Sequence, residues 1–273
     1  MSDSTVGSMA ARLWRNGRPS NSDDATDLAF AGFAHFTAMQ VRDGAVRGLD
    51  LHLARLQRAS HDLFGRAVDD GLLRDRMRQA VAAGPRSLSM VVTIRPAEGE
   101  FVPADDDRPL DVTVRTDAPS DGPRGPFRLD AVEHERFLPH IKHVGEGAKT
   151  HHLRRARQRG FDDAVFLDRA GRISEGTIWN LAFSDGDTVI WPRADLLVGT
   201  TMQIVRRQLH LAGVPQDERE VRPSDLGGLS AVVMNSWTPA VPITGIGHRE
   251  LAPDPRFVRR LRNAFDADAA EPL

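Results

Sequence analysis

The stretch DAVFLDRAGRISEGTIWNLAFSDGDTVIW, residues 163–191, carries the strongest fold signal in this 273-residue chain. Three short, mostly apolar runs at 164–168, 178–183 and 188–191 are separated by two turns that are rich in Asp and Gly. Turns of this kind join antiparallel neighbours in a sheet. The stretch therefore predicts three short strands with antiparallel pairing.

Helices and further strands are predicted on both sides of this stretch. Leu53, Leu56 and Leu63 fall at helical spacing, and Asp50 is placed to cap their helix. Similar patterns predict helices at 50–63, 71–83, 148–159, 201–212 and 255–265, and strands at 30–41, 87–95, 110–115, 128–132 and 231–235.

The stretch 116–127 holds three prolines and two glycines, which favour an irregular connection. We therefore expect a smaller N-terminal α/β domain at 1–115, a linker at 116–127 and a larger C-terminal domain at 128–273. The predicted fold class is α+β, a mixed α/β chain with antiparallel-rich sheets in two lobes.

Composition excludes several classes of function. The net charge of −2 gives no broad basic surface for nucleic acid, and the absence of cysteine excludes a thiolate metal site. No apolar run approaches the length that spans a membrane. We expect a cytoplasmic protein with small-molecule partners, without nucleic acid, membrane or metal.

Lysine is nearly absent. Of the 36 basic residues, Lys142 and Lys149 are lysines and the rest are arginines. A neutral amine can attack a carbonyl and form a Schiff base, whereas a guanidinium cannot. A genome rich in G and C would also make lysine scarce, so this count alone leaves both explanations open. Lys149 falls on the predicted polar helix, where replacement by arginine is expected to be close to silent.

Three other features are each ambiguous alone. Glu175 follows the first turn, either as a solvated residue or as a partner for a protonated heterocyclic nitrogen. Gly199-Thr200-Thr201 begins a helix, as a simple N-cap or as a phosphate seat. Arg55 is an ordinary helix arginine or a second phosphate ligand. A lysine, an acid and a phosphate seat are together what pyridoxal phosphate requires.

The order of these motifs resembles the fold-type IV, or class IV, pyridoxal-phosphate-dependent aminotransferases. That family includes branched-chain and D-amino-acid aminotransferases and aminodeoxychorismate lyases. The resemblance covers about Phe36 to Phe265 and is strongest over 141–207. It rests on these matches: 139–143 to the lysine segment, 171–180 to Gly-x-hydrophobic-x-Glu-x-x-x-x-Asn, 197–201 to Leu-x-Gly-x-Thr, and 52–56 to His-x-x-Arg-Leu.

The resemblance implies a two-domain fold-type IV enzyme with its site between the lobes, a homodimer, and an internal aldimine on Lys142. Glu175 would pair with the pyridine nitrogen, and Leu197 would pack against the ring. The implied phosphate ligands are Arg55, Thr200, Thr201 and Ser236. Phe36, Arg95 and His140 are the substrate-binding candidates.

Two departures from the family pattern stand out. The stretch 27–36 lacks the usual Gly-Asp-Gly motif, and Met202 stands where many relatives have arginine.

Three functions remain open at this point. The first is transamination between an amino acid or amine and a keto acid. The second is lyase-type elimination of pyruvate from an aminodeoxychorismate-like substrate, which the stretches 141–143 and 235–242 favour. The third is a degenerate relative that binds cofactor or a partner without turnover. Substrate identity and stereoselectivity are not encoded in these motifs.

Overall fold

The computed structural model describes residues 11–29, 31–97 and 109–273, and it divides into two compact units. The first unit comprises the described residues up to Ser120, together with His143–Gly145 and Ala270–Leu273. The second comprises Asp121–Lys142 and Glu146–Ala269. The predicted domains at 1–115 and 128–273, with a linker at 116–127, stay a prediction. That prediction did not include His143–Gly145 and Ala270–Leu273 in the N-terminal domain.

The first unit is built on an antiparallel sheet of strand order β2-β1-β6-β5-β3. Its strands are β1 (Arg12–Arg15), β2 (Arg18–Pro19), β3 (His35–Val41), β4 (Ala45–Arg47), β5 (Leu88–Pro96) and β6 (Leu110–Asp117), and its helices are α1 (Ser22–Ala29), α2 (Leu49–Phe64) and α3 (Asp70–Ala82).

Strands β3 and β5 alternate between buried and partly exposed residues, as a sheet with one covered face requires. The buried side chains of Met39 and Met90 share a core with Leu56 of α2 and Met77 of α3. Helix α2 begins after Gly48, which has a left-handed φ of 63° and provides no side-chain cap. The prediction that Asp50 caps this helix is therefore wrong, because Asp50 lies inside the first turn.

The second unit is built on a mixed sheet of order β12-β11-β10-β13-β14-β7-β8-β9, with β15 paired to β14. Its elements are β7 (Phe127–Glu133), α4 (Gly147–Gln158), β8 (Asp163–Leu167), β9 (Ile173–Gly176), β10 (Asn180–Ser184), β11 (Val189–Pro192), α5 (Thr200–Leu211), β12 (Gln216–Arg219), β13 (Ser230–Met234), β14 (Val241–Ile246), β15 (Arg249–Glu250) and α6 (Pro255–Asp266). The last strand, β16 (Ala270–Pro272), pairs with β4 in the first unit.

Both faces of this sheet are covered at its centre. In β10, Leu181 and Phe183 join one buried cluster while Ala182 joins another, together with residues of α5 and α6. A strand buried on both faces reads as a continuous apolar run rather than as an alternation. That is why the sequence of β10 and β13 carries a strand signal without a polar face.

The predicted second hairpin is confirmed, since β10 pairs antiparallel with β11. The predicted first hairpin is wrong in its partner, because the strand predicted at 164–168 pairs antiparallel with β9 and not with the strand predicted at 178–183. Strand β9 itself was not predicted, because its Ser174 and Glu175 are polar although both are buried. The sheet also contains parallel neighbours, β7 with β8, β7 with β14, and β11 with β12. The strand predicted at 30–41 begins at His35, and Phe30 lies outside the described residues. Within the described ranges, no helix has the length and apolar character needed to cross a membrane.

A buried histidine predicts acid sensitivity of the first unit. His35 is fully buried, and its Nε2 lies 2.8 Å from Ser60 Oγ. Within the described ranges, its Nδ1 has no hydrogen-bond partner. Burial lowers the pKa of His35 to about 4 from 6.5. The unfolded chain therefore binds a proton first as the pH falls, so stability is full above about pH 6.5 and is lost towards pH 4 by up to about 3 kcal/mol.

We expect His35→Gln to flatten this loss when the free energy of unfolding is measured by urea titration between pH 4 and 7. His61→Gln, at an exposed histidine of α2, is the matched control and should leave the wild-type slope unchanged. Equal slopes in wild type and His35→Gln would contradict the assignment.

Candidate functional site

Glu175 is a buried carboxylate near the end of strand β9, where its side chain is 4% exposed. Its Oε1 accepts hydrogen bonds from Arg136 Nη1 at 3.1 Å and from the backbone N–H of Leu197 at 3.2 Å. A buried charge is tolerated only with partners of this kind. Two donors from different segments therefore fix the position of this carboxylate.

Asn180 holds the loop that leads into α5. Its Nδ2 donates to the Leu197 carbonyl at 2.7 Å, and its Oδ1 accepts from Gly199 N at 3.0 Å. A Cβ on Gly199 would lie 2.0 Å from Asn180 Oδ1, so a side chain cannot be placed there without displacing the asparagine. The close approach of Gly199 to Asn180 thus explains why glycine and asparagine stand at these two motif positions.

The first turn of α5 has the features of an anion seat. A helix leaves its first N–H groups without intrahelical partners, and its dipole favours negative charge there. Thr200 Oγ1 is buried and has no hydrogen-bond partner among the residues that the structure describes. The Thr201 hydroxyl, in contrast, donates to the carbonyl of Asn235 at 2.8 Å. A buried hydroxyl without a hydrogen-bond partner calls for an explanation, and a bound anion would supply the missing hydrogen-bond acceptor.

Lys142 follows Ile141 in an irregular segment, where its side chain is partly buried. The segment before it is held by Arg136, which donates to the carbonyl of Pro139 at 2.6 Å and to that of Ile141 at 2.7 Å. Because the same guanidinium binds Glu175, it links the backbone next to Lys142 to that carboxylate. Arg136 was not among the predicted site residues.

Lys149 also lies close to Glu175, which the sequence did not predict. It lies in the first turn of α4 with a side chain only 13% exposed. Its Nζ lies 2.7 Å from Glu146 Oε2 and 3.9 Å from Glu175 Oε2. Glu146 also binds the Arg136 guanidinium. Burial acts to raise the pKa of Glu146, but the hydrogen bonds from Arg136 and Lys149 outweigh it, so that pKa is lowered overall.

The loop after β13 lies beside α5. Asn235 N donates to the Thr238 carbonyl at 3.0 Å, and Trp237 N donates to Asn235 Oδ1 at 2.9 Å. The Trp237 ring, 42% exposed, meets Trp179 edge to face at 6.4 Å between centroids. Ser236 sits in this tied loop and is partly exposed.

The predicted residues are divided between the two units. Lys142, His140, Glu175, Leu197, Thr200, Thr201 and Ser236 lie in the second, whereas Phe36, Arg55 and Arg95 lie in the first. Arg55 is buried in α2 at 8% exposure. Arg95 is paired with Asp111 at 2.9 Å, so a substrate carboxylate would compete with that aspartate. Its role as a carboxylate anchor stays a prediction, as do those of Phe36 and His140.

Sequence reasoning missed Arg136, Glu146 and Lys149 as partners of Glu175. No local signal separates Arg136 from the other arginines of the chain. Lys149 had a signal, its rarity as a lysine, but the polar composition of α4 suggested a solvated face instead.

A family model described as amino-transferase class IV matches residues 34–246. Among curated proteins, no sequence matches this chain significantly.

Solved structures of the same fold cover nearly the whole chain. Three of them are a branched-chain aminotransferase from Thermoproteus uzoniensis with norvaline (19% identity, TM-score 0.81, covering 95% of this chain and 94% of that one), a branched-chain amino acid aminotransferase from Thermobaculum terrenum in its PLP form (19%, 0.79, 93% and 92%), and the fold IV transaminase CpuTA1 from Curtobacterium pusillum (21%, 0.75, 95% and 100%). At these identities the likeness establishes the fold, and it confirms the predicted mixed α/β architecture.

Proposed function

The chain belongs to the class IV aminotransferase family, and we propose that it is an enzyme that transfers an amino group from an amino acid or amine to a keto acid with pyridoxal 5'-phosphate as its cofactor. The observation that carries the proposal is the pairing, within one unit, of a fixed buried carboxylate at Glu175 with an anion seat at the start of α5. These are the two ends of a ligand with a basic ring nitrogen and a phosphate. When bound, the cofactor supplies an electron sink for the substrate's α-carbon.

The α5 start would hold the phosphate. The hydroxyl of Thr200 and the first N–H groups of the helix are the donors, and the Thr201 hydroxyl keeps the Asn235 loop against the same turn. Ser236 in that loop is a further proposed ligand, and the phosphate role of Arg55 rests on the family resemblance alone. Leu197 would pack against the ring, since its backbone already links Glu175 to Asn180.

Glu175 would accept a hydrogen bond from the protonated ring nitrogen. A carboxylate that accepts this hydrogen bond stabilises the protonated, positively charged ring. The positive charge favours delocalisation of electrons from the substrate into the ring. Arg136 and the Leu197 N–H hold Glu175 Oε1. Its Oε2 lies towards Lys149 and has a second lone pair to offer.

Lys142 would bind the cofactor covalently through its Nζ and, once released by the incoming amine, act as the base. In its neutral form, Nζ takes the proton from the substrate's α-carbon. Arg136 supports this role without taking part in the reaction, because it binds the carbonyls of Pro139 and Ile141 just before the lysine. The backbone that carries Nζ is thereby held in place while the side chain moves.

A family-like homodimer and a cytoplasmic location are also part of the proposal. The dimer rests on the family resemblance, and light scattering on the purified protein tests it through the molar mass. The location rests on the cysteine-free composition.

A screen of amino donors tests the function. Protein loaded with pyridoxal phosphate is mixed with single amino acids and amines, and its absorbance is followed as the bound cofactor takes up the amino group. We expect bleaching by some donors and recovery on adding a keto acid. Pyruvate release without a keto acid would favour the lyase instead, and no response to any donor would favour the non-catalytic alternative.

Thr200→Val separates cofactor binding from stability. It removes a buried hydroxyl that has no partner, so the cofactor-free protein should unfold at the same temperature or slightly higher. The dissociation constant of the cofactor should rise about tenfold, the cost of about one hydrogen bond to a charged group. Calorimetry and fluorescence titration give the two values.

Thr201→Val is the matched control, because it loses the bond to Asn235 and should lower the unfolding temperature of the cofactor-free protein. Unchanged cofactor affinity in Thr200→Val would remove this hydroxyl from the phosphate seat.

A further inference from the structure

Glu175 belongs to a cluster of four charged side chains, and two of them, Lys149 and Glu146, have no part in the proposed chemistry. Arg136 and Glu175 are 3% and 4% exposed, and Lys149 and Glu146 are 13% and 14% exposed. Two carboxylates face two cations, so the charges of these four side chains balance. Lys149 touches both carboxylates, at 2.7 Å to Glu146 and 3.9 Å to Glu175.

We propose that Lys149 and Glu146 are positioning residues that balance the charge around Glu175 and so set how strongly it attracts the proton on the cofactor's ring nitrogen. The inference rests on the proposed function, since it assigns the ring nitrogen to Glu175. It gives the second lysine of the chain a role that differs from that of Lys142.

The contacts of Lys149 favour this positioning role over a role as a second cofactor-binding lysine. Its amine is engaged by Glu146 and lies beside the carboxylate that would meet the ring nitrogen. A paired ammonium carries its proton and is no nucleophile. With Glu175 as the partner of the ring nitrogen, Lys149 would lie near the nitrogen end of the ring, whereas the covalent bond would form at the aldehyde carbon.

Charge sharing is the physical basis of the effect. Each cation near Glu175 interacts with the same carboxylate that would bind the ring proton, and so weakens the attraction between Glu175 and that proton. Burial strengthens these interactions relative to water. Glu146 opposes this by engaging both Arg136 and Lys149. His134 is a further titratable group that interacts electrostatically with Glu146, Lys149 and Arg136. It packs against His152 and Phe166, and burial lowers its pKa.

Opposite substitutions therefore have opposite effects. Lys149→Met leaves one excess negative charge, so the ring nitrogen should hold its proton more tightly, with a pKa raised by about 1 unit. Glu146→Gln leaves one excess positive charge and should lower that pKa by about as much. Lys149→Arg keeps the charge and should stay close to wild type. The double variant Lys149→Met/Glu146→Gln is neutral again and should return most of the way to the wild-type value.

The experiment uses the loaded enzyme with cofactor labelled with ¹⁵N at the ring nitrogen. The nitrogen chemical shift, followed by NMR against pH, reports protonation without any turnover. Arg154→Ala removes an exposed cation from the same helix and serves as the control. A merely structural role for the pair would instead predict that the double variant is worse than either single one.

Shifts in the same direction for Lys149→Met and Glu146→Gln, or no shift in either, would overturn the inference. If one single variant does not fold, the other single variant and the neutral double variant still decide it. Failure of the wild-type protein to take up the labelled cofactor is a separate outcome, which counts against the proposed function itself.

Discussion

Replacing Lys142 by alanine is expected to lower kcat by a factor of at least about 10⁴, because one amine supplies both the covalent attachment of the cofactor and the base. No neighbouring residue can substitute. Arginine cannot act as a nucleophile at neutral pH, and Lys149 is held by Glu146. Stopped-flow absorbance with a donor found in the screen measures the half-reaction directly.

Loss of folding would not explain such a result. Lys142 lies in an irregular, partly buried segment whose backbone is held by Arg136, so the unfolding temperature of Lys142→Ala should change little. Arg154→Ala provides the control for loss of a positive charge and should retain wild-type kcat. A Lys142→Ala enzyme with more than a tenth of wild-type turnover would contradict the assignment.

Replacing Glu175 by glutamine is expected to lower kcat by a factor of about 10² to 10³, the usual cost of removing one preorganised electrostatic partner. Gln keeps the shape and can still accept from the Leu197 N–H, but it has no charge to balance the protonated ring nitrogen. The free energy of unfolding should also fall, by about 1–3 kcal/mol, because Arg136 loses one of its two carboxylates in a buried place.

Glu135→Gln is the matched control for this variant. Glu135 pairs with Arg169 at the surface, where an ion pair is worth little, so neither turnover nor stability should change measurably. If Glu175→Gln kept wild-type kcat while losing stability, Glu175 would be a structural carboxylate rather than the partner of the ring nitrogen.

The local part of this account was available from the sequence. The second hairpin of the stretch 163–191 and the Gly-Thr-Thr helix start depend on neighbours in the chain, and the structure puts them on the predicted elements. Glu175, in contrast, lies on a strand that was not predicted. The match of residues 34–246 to the family confirms the resemblance that these motifs carried. The site roles that the motifs imply remain predictions for the experiments above.

The charge cluster could not be predicted in the same way. Whether Arg136 is one more surface cation or the link between Glu175 and the Lys142 segment depends on tertiary packing between β9, α4 and the chain after β7. Lys149 shows the same limit, because the polar composition of α4 placed it in solvent whereas the fold turns it towards Glu146 and Glu175. Strand β9 was missed because its Glu175 reads as a solvated residue in the sequence. Its burial depends on donors that are distant in the chain, Arg136 and the Leu197 N–H.

The central claim is that Lys142, not Lys149, binds the cofactor, and a chain with two lysines allows a direct test. The protein is loaded with pyridoxal phosphate, treated with borohydride to make the lysine–cofactor bond permanent, digested, and mapped by mass spectrometry. The account predicts the phosphopyridoxyl group on Lys142 and an unmodified Lys149. A label on Lys149, or protein that takes up no cofactor and shows no label on either lysine, would contradict it.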